Sequence, residues 1–172
     1  MVSATAGVAS ETASATGPAS ERAPAELETA TFSMYCYWTG EATLGRIDGV
    51  VASRIGHWSG SEIVQVDYDP TRTNPGELAQ ALKRQRSFYS ALASSGDEER
   101  SLGAHLDAGE IATTPGKPHF IEPKHSLRTR YPNLSELDLT ESQAIALNSW
   151  SYFGGPMPDV LTPEQKDELG NR

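Results

Sequence analysis

The chain is short of cysteine, of positive charge and of long apolar runs. Cys36 is the one cysteine in 172 residues, so no internal disulfide can form and four-cysteine zinc sites are excluded. Fourteen Lys and Arg face 23 Asp and Glu, a formal charge of −9. No basic excess is available to displace counterions, which argues against a nucleic-acid backbone as the main partner. No apolar run approaches the roughly 20 residues of a membrane span. Large apolar side chains are also nearly missing from residues 1–29, which are rich in Ala, Ser and Thr. Such a stretch cannot bury enough surface to offset the entropy of ordering it. Residues 1–29 are therefore expected to be a disordered tail ahead of one domain over 30–172. The tail lacks the basic start and apolar stretch of a secretory signal, so a cytoplasmic location is expected, with export left open.

What is present after residue 29 is patterned. "ATFSMYCYW" (30–38) alternates and is aromatic-rich, as a strand would be. "TGEATLGRI" (39–47) spaces Ala42, Leu44 and Ile47 as a short helix would, although its two glycines weaken the tendency. "GVVASRIGHW" (49–58) is β-branched, and "EIVQVDYDP" (62–70) alternates until Pro70 stops it. "TNPGELAQALKRQ" (73–85) predicts a helix with Asn74 as N-cap and Pro75 at its first position. A strand over 87–94 and a helix over 96–107 follow. Strand–helix–strand–strand–helix–strand predicts an α+β, ferredoxin-like βαββαβ sheet with helices on one face. The rest predicts a loop-rich C-terminal wrap over 109–134, with four prolines, and two short helices over 139–150 and 161–169. Thr140 with Gln143, and Thr162 with Gln165, stand at capping-box spacing.

Cys36 lies at the predicted strand-to-helix junction, where free backbone N–H groups favour a thiolate. Tyr35, Tyr37 and Trp38 surround it in sequence and could form a small apolar cage; a core could hold the same residues. His57, His119 and His125 have no recognised ligand spacing, so no metal is expected. No cofactor is expected either.

Tyr35-Cys36-Tyr37-Trp38-Thr39-Gly40-Glu41 resembles the Gly-Cys-Phe-Trp-x-x-Glu motif of the methionine sulfoxide reductase A family. The turn at Asp48-Gly49-Val50, the stretch Gly56-His57-Trp58-Ser59-Gly60, and Glu62 leading to Tyr68-Asp69-Pro70 are similar to later elements of that family. "FIEPKHSL" resembles a further segment, with Glu122 and His125 matching. The resemblance implies a peptide-methionine (S)-S-oxide reductase, an oxidoreductase of oxidative-stress protein repair. It implies Cys36 as catalytic nucleophile, Glu62 as catalytic acid, and Tyr37, Trp38 and His57 as substrate-binding residues. A carboxyl beside aromatic surface is suited to hold a proton for the sulfoxide oxygen. The implied partners are methionine sulfoxide, free or in an oxidised protein, and an external thiol such as thioredoxin. With no second cysteine, a Cys36 sulfenic acid needs that external thiol. The family's segment carrying an oxygen-holding tyrosine is missing between Gly60 and Glu62, and Tyr89 is the nearest sequence candidate to stand in. The alternatives are a non-catalytic binding module on the same fold, and a one-cysteine peroxidase-like enzyme.

Overall fold

The computed structural model describes residues 26–171. Most of the expected tail lies outside the described residues. Its last two positions, Glu28 and Thr29, already belong to the first strand.

The strands are β1 (Glu28–Met34), β2 (Val50–Trp58), β3 (Ser61–Tyr68) and β4 (Phe88–Ala93), followed by the short β5 (Ile111–Thr113) and β6 (His119–Ile121). Helices α1 (Tyr37–Leu44) and α2 (Pro75–Arg84) connect β1 to β2 and β3 to β4. The sheet has six strands in the order β5-β4-β1-β3-β2-β6. The inner pairs β1–β3, β1–β4 and β2–β3 are antiparallel, as is β2–β6, whereas β4–β5 is parallel. The predicted element order thus stands over 28–93, within a mixed α+β fold.

Two boundaries differ at the point that matters most. β1 ends at Met34 rather than at residue 38, and α1 starts at Tyr37 rather than at 39. The aromatic run Tyr35–Trp38 breaks the strand's two-residue period, and Cys36 becomes the N-cap in extended conformation (φ −143°). Gly40 is the reason α1 can form here. A Cβ at that position would collide with the Met34 side chain, so glycine's helix cost of about 1 kcal/mol is exchanged for close packing of α1 on β1.

One core sits between the sheet and its helices. Phe32, Ile55, Val64 and Val66 from the strands meet Leu44 of α1 and Leu78 and Leu82 of α2, all fully buried. Each such side chain contributes about 1.5–3 kcal/mol of burial. Leu102 of α3 (Gly96–Gly103) and Ile145 of α6 (Glu141–Phe153) join the same core. The Pro-rich segment is more ordered than the expected wrap. It supplies edge strands β5 and β6, then α4 (His125–Arg130) and α5 (Pro132–Ser135). Three-residue strands set between prolines carry too little alternation to be read in advance. Between them the chain passes over the sheet face opposite α1, where Trp58 Nε1 donates to the Pro115 carbonyl at 3.0 Å.

α6 and α7 (Pro163–Gly170) carry the two predicted capping boxes complete. They are tied together by Gln143 Nε2 donating to Gln165 Oε1 at 2.9 Å. A second apolar cluster of Leu127, Leu134, Leu137, Leu147 and Leu161 fills the space beneath α4–α6.

Candidate active site around Cys36

Strand register brings the site together. Glu62 pairs with Met34 on one side and with His57 on the other. The acid therefore stands at the end of the sheet where β1 hands over to α1. Glu62 Oε2 accepts the backbone N–H of Tyr37 at 2.8 Å. That N–H belongs to the peptide immediately after Cys36. Covalent geometry then keeps Sγ within about 8 Å of Oε2. Cys36 is half-buried and free, with no side-chain cap bond drawing it back onto the helix.

Tyr37 records both neighbours electrostatically. Burial raises its hydroxyl pKa above the usual tyrosine value, and the charges of Glu62 and Cys36 push it the same way. Its ring lies 5.7 Å from that of Trp38 and 5.5 Å from that of His57. The structure thus groups Cys36, Tyr37, Trp38, His57 and Glu62 at one end of the sheet. Tyr35 does not belong to this wall: it is 73% exposed and turns outward. Tyr89 is 60% exposed and is the extra residue of a β-bulge opposite Ser33 and Met34.

Three further features frame the site. His125, at the start of α4, stacks on Trp38 with centroids 4.0 Å apart and planes 6° apart. Its motif match was visible, but its contact was not. Thr39 Oγ1 lies 2.7 Å from Tyr152 Oη, which closes the far side of the α1 N-terminus with a hydroxyl from α6. No local pattern links positions so far apart. Glu41 is buried beneath the site at 1% exposure. It accepts from Ser53 Oγ at 3.0 Å, the Lys124 backbone N–H at 2.9 Å and Asn148 Nδ2 at 3.1 Å. Burial raises its pKa, against the opposing pull of the Lys124 charge and these hydrogen bonds. Glu41 thus ties α1 to β2, to α6 and to the chain just before His125. Lys124, which donates that N–H, is itself left-handed at φ 60°. Among the described residues no group of three or more His, Cys, Asp or Glu is placed to hold a metal ion.

No protein-family model matches the chain. It is 30% identical over 146 residues to a peptide methionine sulfoxide reductase of Drosophila melanogaster, covering 66% of this chain and 59% of that protein. It is 37% identical over 70 residues to the peptide methionine sulfoxide reductase MsrA of Geobacter metallireducens, covering 31% of this chain and 43% of that protein. The chain is similar to methionine sulfoxide reductases. It spans about half the length of these curated relatives. No helix among the described residues is long and apolar enough to cross a membrane.

Proposed function

We propose that the chain is a one-cysteine, thiol-dependent reductase of methionine S-sulfoxide, built on a ferredoxin-like inner sheet. The observation that carries this is the Glu62 carboxyl group held on the N–H that follows Cys36, beside the Tyr37–Trp38 aromatic pair. A nucleophile, a proton donor and an apolar surface for a methyl group are what sulfoxide reduction requires. The similarity to methionine sulfoxide reductases supports the same reading.

In this reading the Cys36 thiolate attacks the sulfoxide sulfur while Glu62 gives a proton to the oxygen. The attack bonds the Cys36 sulfur to the substrate sulfur. The protonated oxygen then shifts to the Cys36 sulfur as that bond and the original sulfur–oxygen bond both break, so the sulfide leaves and Cys36 holds a sulfenic acid. An external thiol condenses with the sulfenic acid, releasing water and forming a mixed disulfide. A second thiol attacks that disulfide, restores Cys36 and leaves as the oxidised reductant. Two thiols are oxidised for each sulfoxide reduced. Trp38 and Tyr37 would hold the methyl end of the substrate, with His57 at its edge. A small thiol or a thioredoxin-type protein fits the reductant role, which suits a reducing, cytoplasmic setting and a part in protein repair.

The test is steady-state reduction of methionine sulfoxide with dithiothreitol. Cys36→Ser should abolish turnover. Glu62→Gln should lower kcat/KM by roughly 100-fold, the usual scale for losing a general acid. A wild-type protein without sulfoxide turnover would favour the non-catalytic module. Turnover of peroxide but not sulfoxide would favour the peroxidase-like enzyme.

A further inference from the structure

The end of the sheet that carries Cys36 also carries a cluster of positive charge. In a chain of net charge −9, Lys83, Arg84 and Arg86 fall within four consecutive residues at the α2–β4 turn. All three are exposed. The turn is fastened to the site: Tyr35 donates its backbone N–H to the Ser87 carbonyl at 2.9 Å. Arg86 and Cys36 are the next residues outward on the two chains, so their backbones lie about 5–10 Å apart. Arg86 is held left-handed at φ 55°, which fixes the direction of the turn.

Lys83 is already engaged, paired with Glu110 and lying over the Phe88 ring. Arg84 and Arg86 have no ion-pair partner among the described residues. Beside them stand two exposed aromatic side chains, Tyr35 at 73% and Tyr89 at 60%. Exposed tyrosines next to unpaired arginines are the composition of a protein-recognition surface. Free methionine sulfoxide would fill the Cys36 slot and leave this surface uncovered.

We infer that Arg84, Arg86, Tyr35 and Tyr89 form a docking surface for an acidic segment of a protein that carries the oxidised methionine. The inference rests on the function proposed above and names the substrate class of that site. An extended peptide advances about 3.4 Å per residue, so acidic residues two to four positions from the sulfoxide would come opposite the arginines. Charge complementarity selects the sign of the partner, since two unpaired cations in an acidic protein attract carboxylates and repel lysines.

The experiment compares two peptides of equal length, each with one methionine sulfoxide, flanked by glutamates in one and by lysines in the other. Dithiothreitol serves as reductant, so recycling by a protein thiol plays no part. At low salt the glutamate peptide should have a kcat/KM about fivefold higher or more, falling toward parity in about 0.5 M salt as exposed charges are screened. Arg84→Glu/Arg86→Glu should reverse the order. Binding of the same labelled peptides to the Cys36→Ser variant, read by fluorescence anisotropy, should follow the same ranking. Equal kcat/KM values in the wild type overturn the inference, and so does a glutamate preference that survives high salt or the double substitution. The salt arm uses the wild-type protein and so decides the matter even if the variant fails to fold. Selective, salt-sensitive binding of the glutamate peptide without any reduction would uphold the docking surface and overturn the proposed function.

Discussion

Glu41 belongs to α1 and Glu62 meets the start of that helix, but their surroundings are opposite. Glu41 points from the buried face of α1, with three donors on its oxygens. Glu62 stands at the helix mouth, half-buried, on the single N–H of Tyr37. A carboxylate enclosed by donors from β2, α6 and the segment before α4 is a fastening, whereas one at the mouth can turn toward a substrate. One acid of α1 and one of β3 would thus divide scaffold from the proposed chemistry, and each substitution below should move one without the other.

The largest expected effect is at Glu41. Glu41→Ala would leave the Ser53 hydroxyl, the Lys124 N–H and the Asn148 amide without their buried acceptor, and should cost about 3–5 kcal/mol of stability. Glu62→Ala should cost less than about 1 kcal/mol, because water can replace the carboxylate at a half-buried N–H. Urea unfolding of the two variants checks this, and equal losses would erase the distinction. Next comes Glu62→Gln, expected to keep stability within about 0.5 kcal/mol of wild type while losing roughly 100-fold in kcat/KM. A parallel loss of both would make Glu62 a second fastening.

Trp38 lies between these extremes. It is 39% exposed, with one face covered by His125. Trp38→Ala should raise KM for a methyl sulfoxide about tenfold and cost only about 0.5–1.5 kcal/mol from the lost stack. Unchanged KM would remove the indole from the substrate slot. The smallest effect is on pH dependence. Glu41 binds its proton more tightly in the folded protein than in the unfolded chain. Between the usual carboxylate value and the raised folded value the folded state therefore binds more protons, and stability falls as pH rises through that window. Glu41→Gln should lack this fall in unfolding measured from pH 4 to 8, and an unchanged slope would assign it to another group.

The same contrast explains what could be read in the sequence. Residues 28–93 announce themselves because each element is long enough to show its period and because Asn74-Pro75 marks the start of α2; beyond them, the Thr-x-x-Gln boxes mark the starts of α6 and α7 by local hydrogen bonding. The candidate cast of Cys36, Tyr37, Trp38, His57 and Glu62 comes from the resemblance to the methionine sulfoxide reductase A motifs, and the strand register brings these five residues of 36–62 to one end of the sheet. α1 starts two residues before the position its sequence suggests, because the aromatic run Tyr35–Trp38 reads as a continuation of the strand. The stack of His125 on Trp38, the fastening of Glu41 by Lys124 and Asn148, and the Thr39–Tyr152 hydroxyl pair were not legible. Each joins α1 to residues more than 80 positions away, and only the packed chain sets those meetings.

The central claim is that Cys36 takes the oxygen of a sulfoxide with Glu62 assisting. Its most direct test is a single turnover, without added thiol, on methionine sulfoxide labelled with heavy oxygen, followed by mass spectrometry of the protein. One labelled oxygen should appear on Cys36, formed together with one sulfide and formed far more slowly in Glu62→Gln. Sulfide release with no label on Cys36, or no sulfide at all from fully reduced wild-type protein, would contradict it.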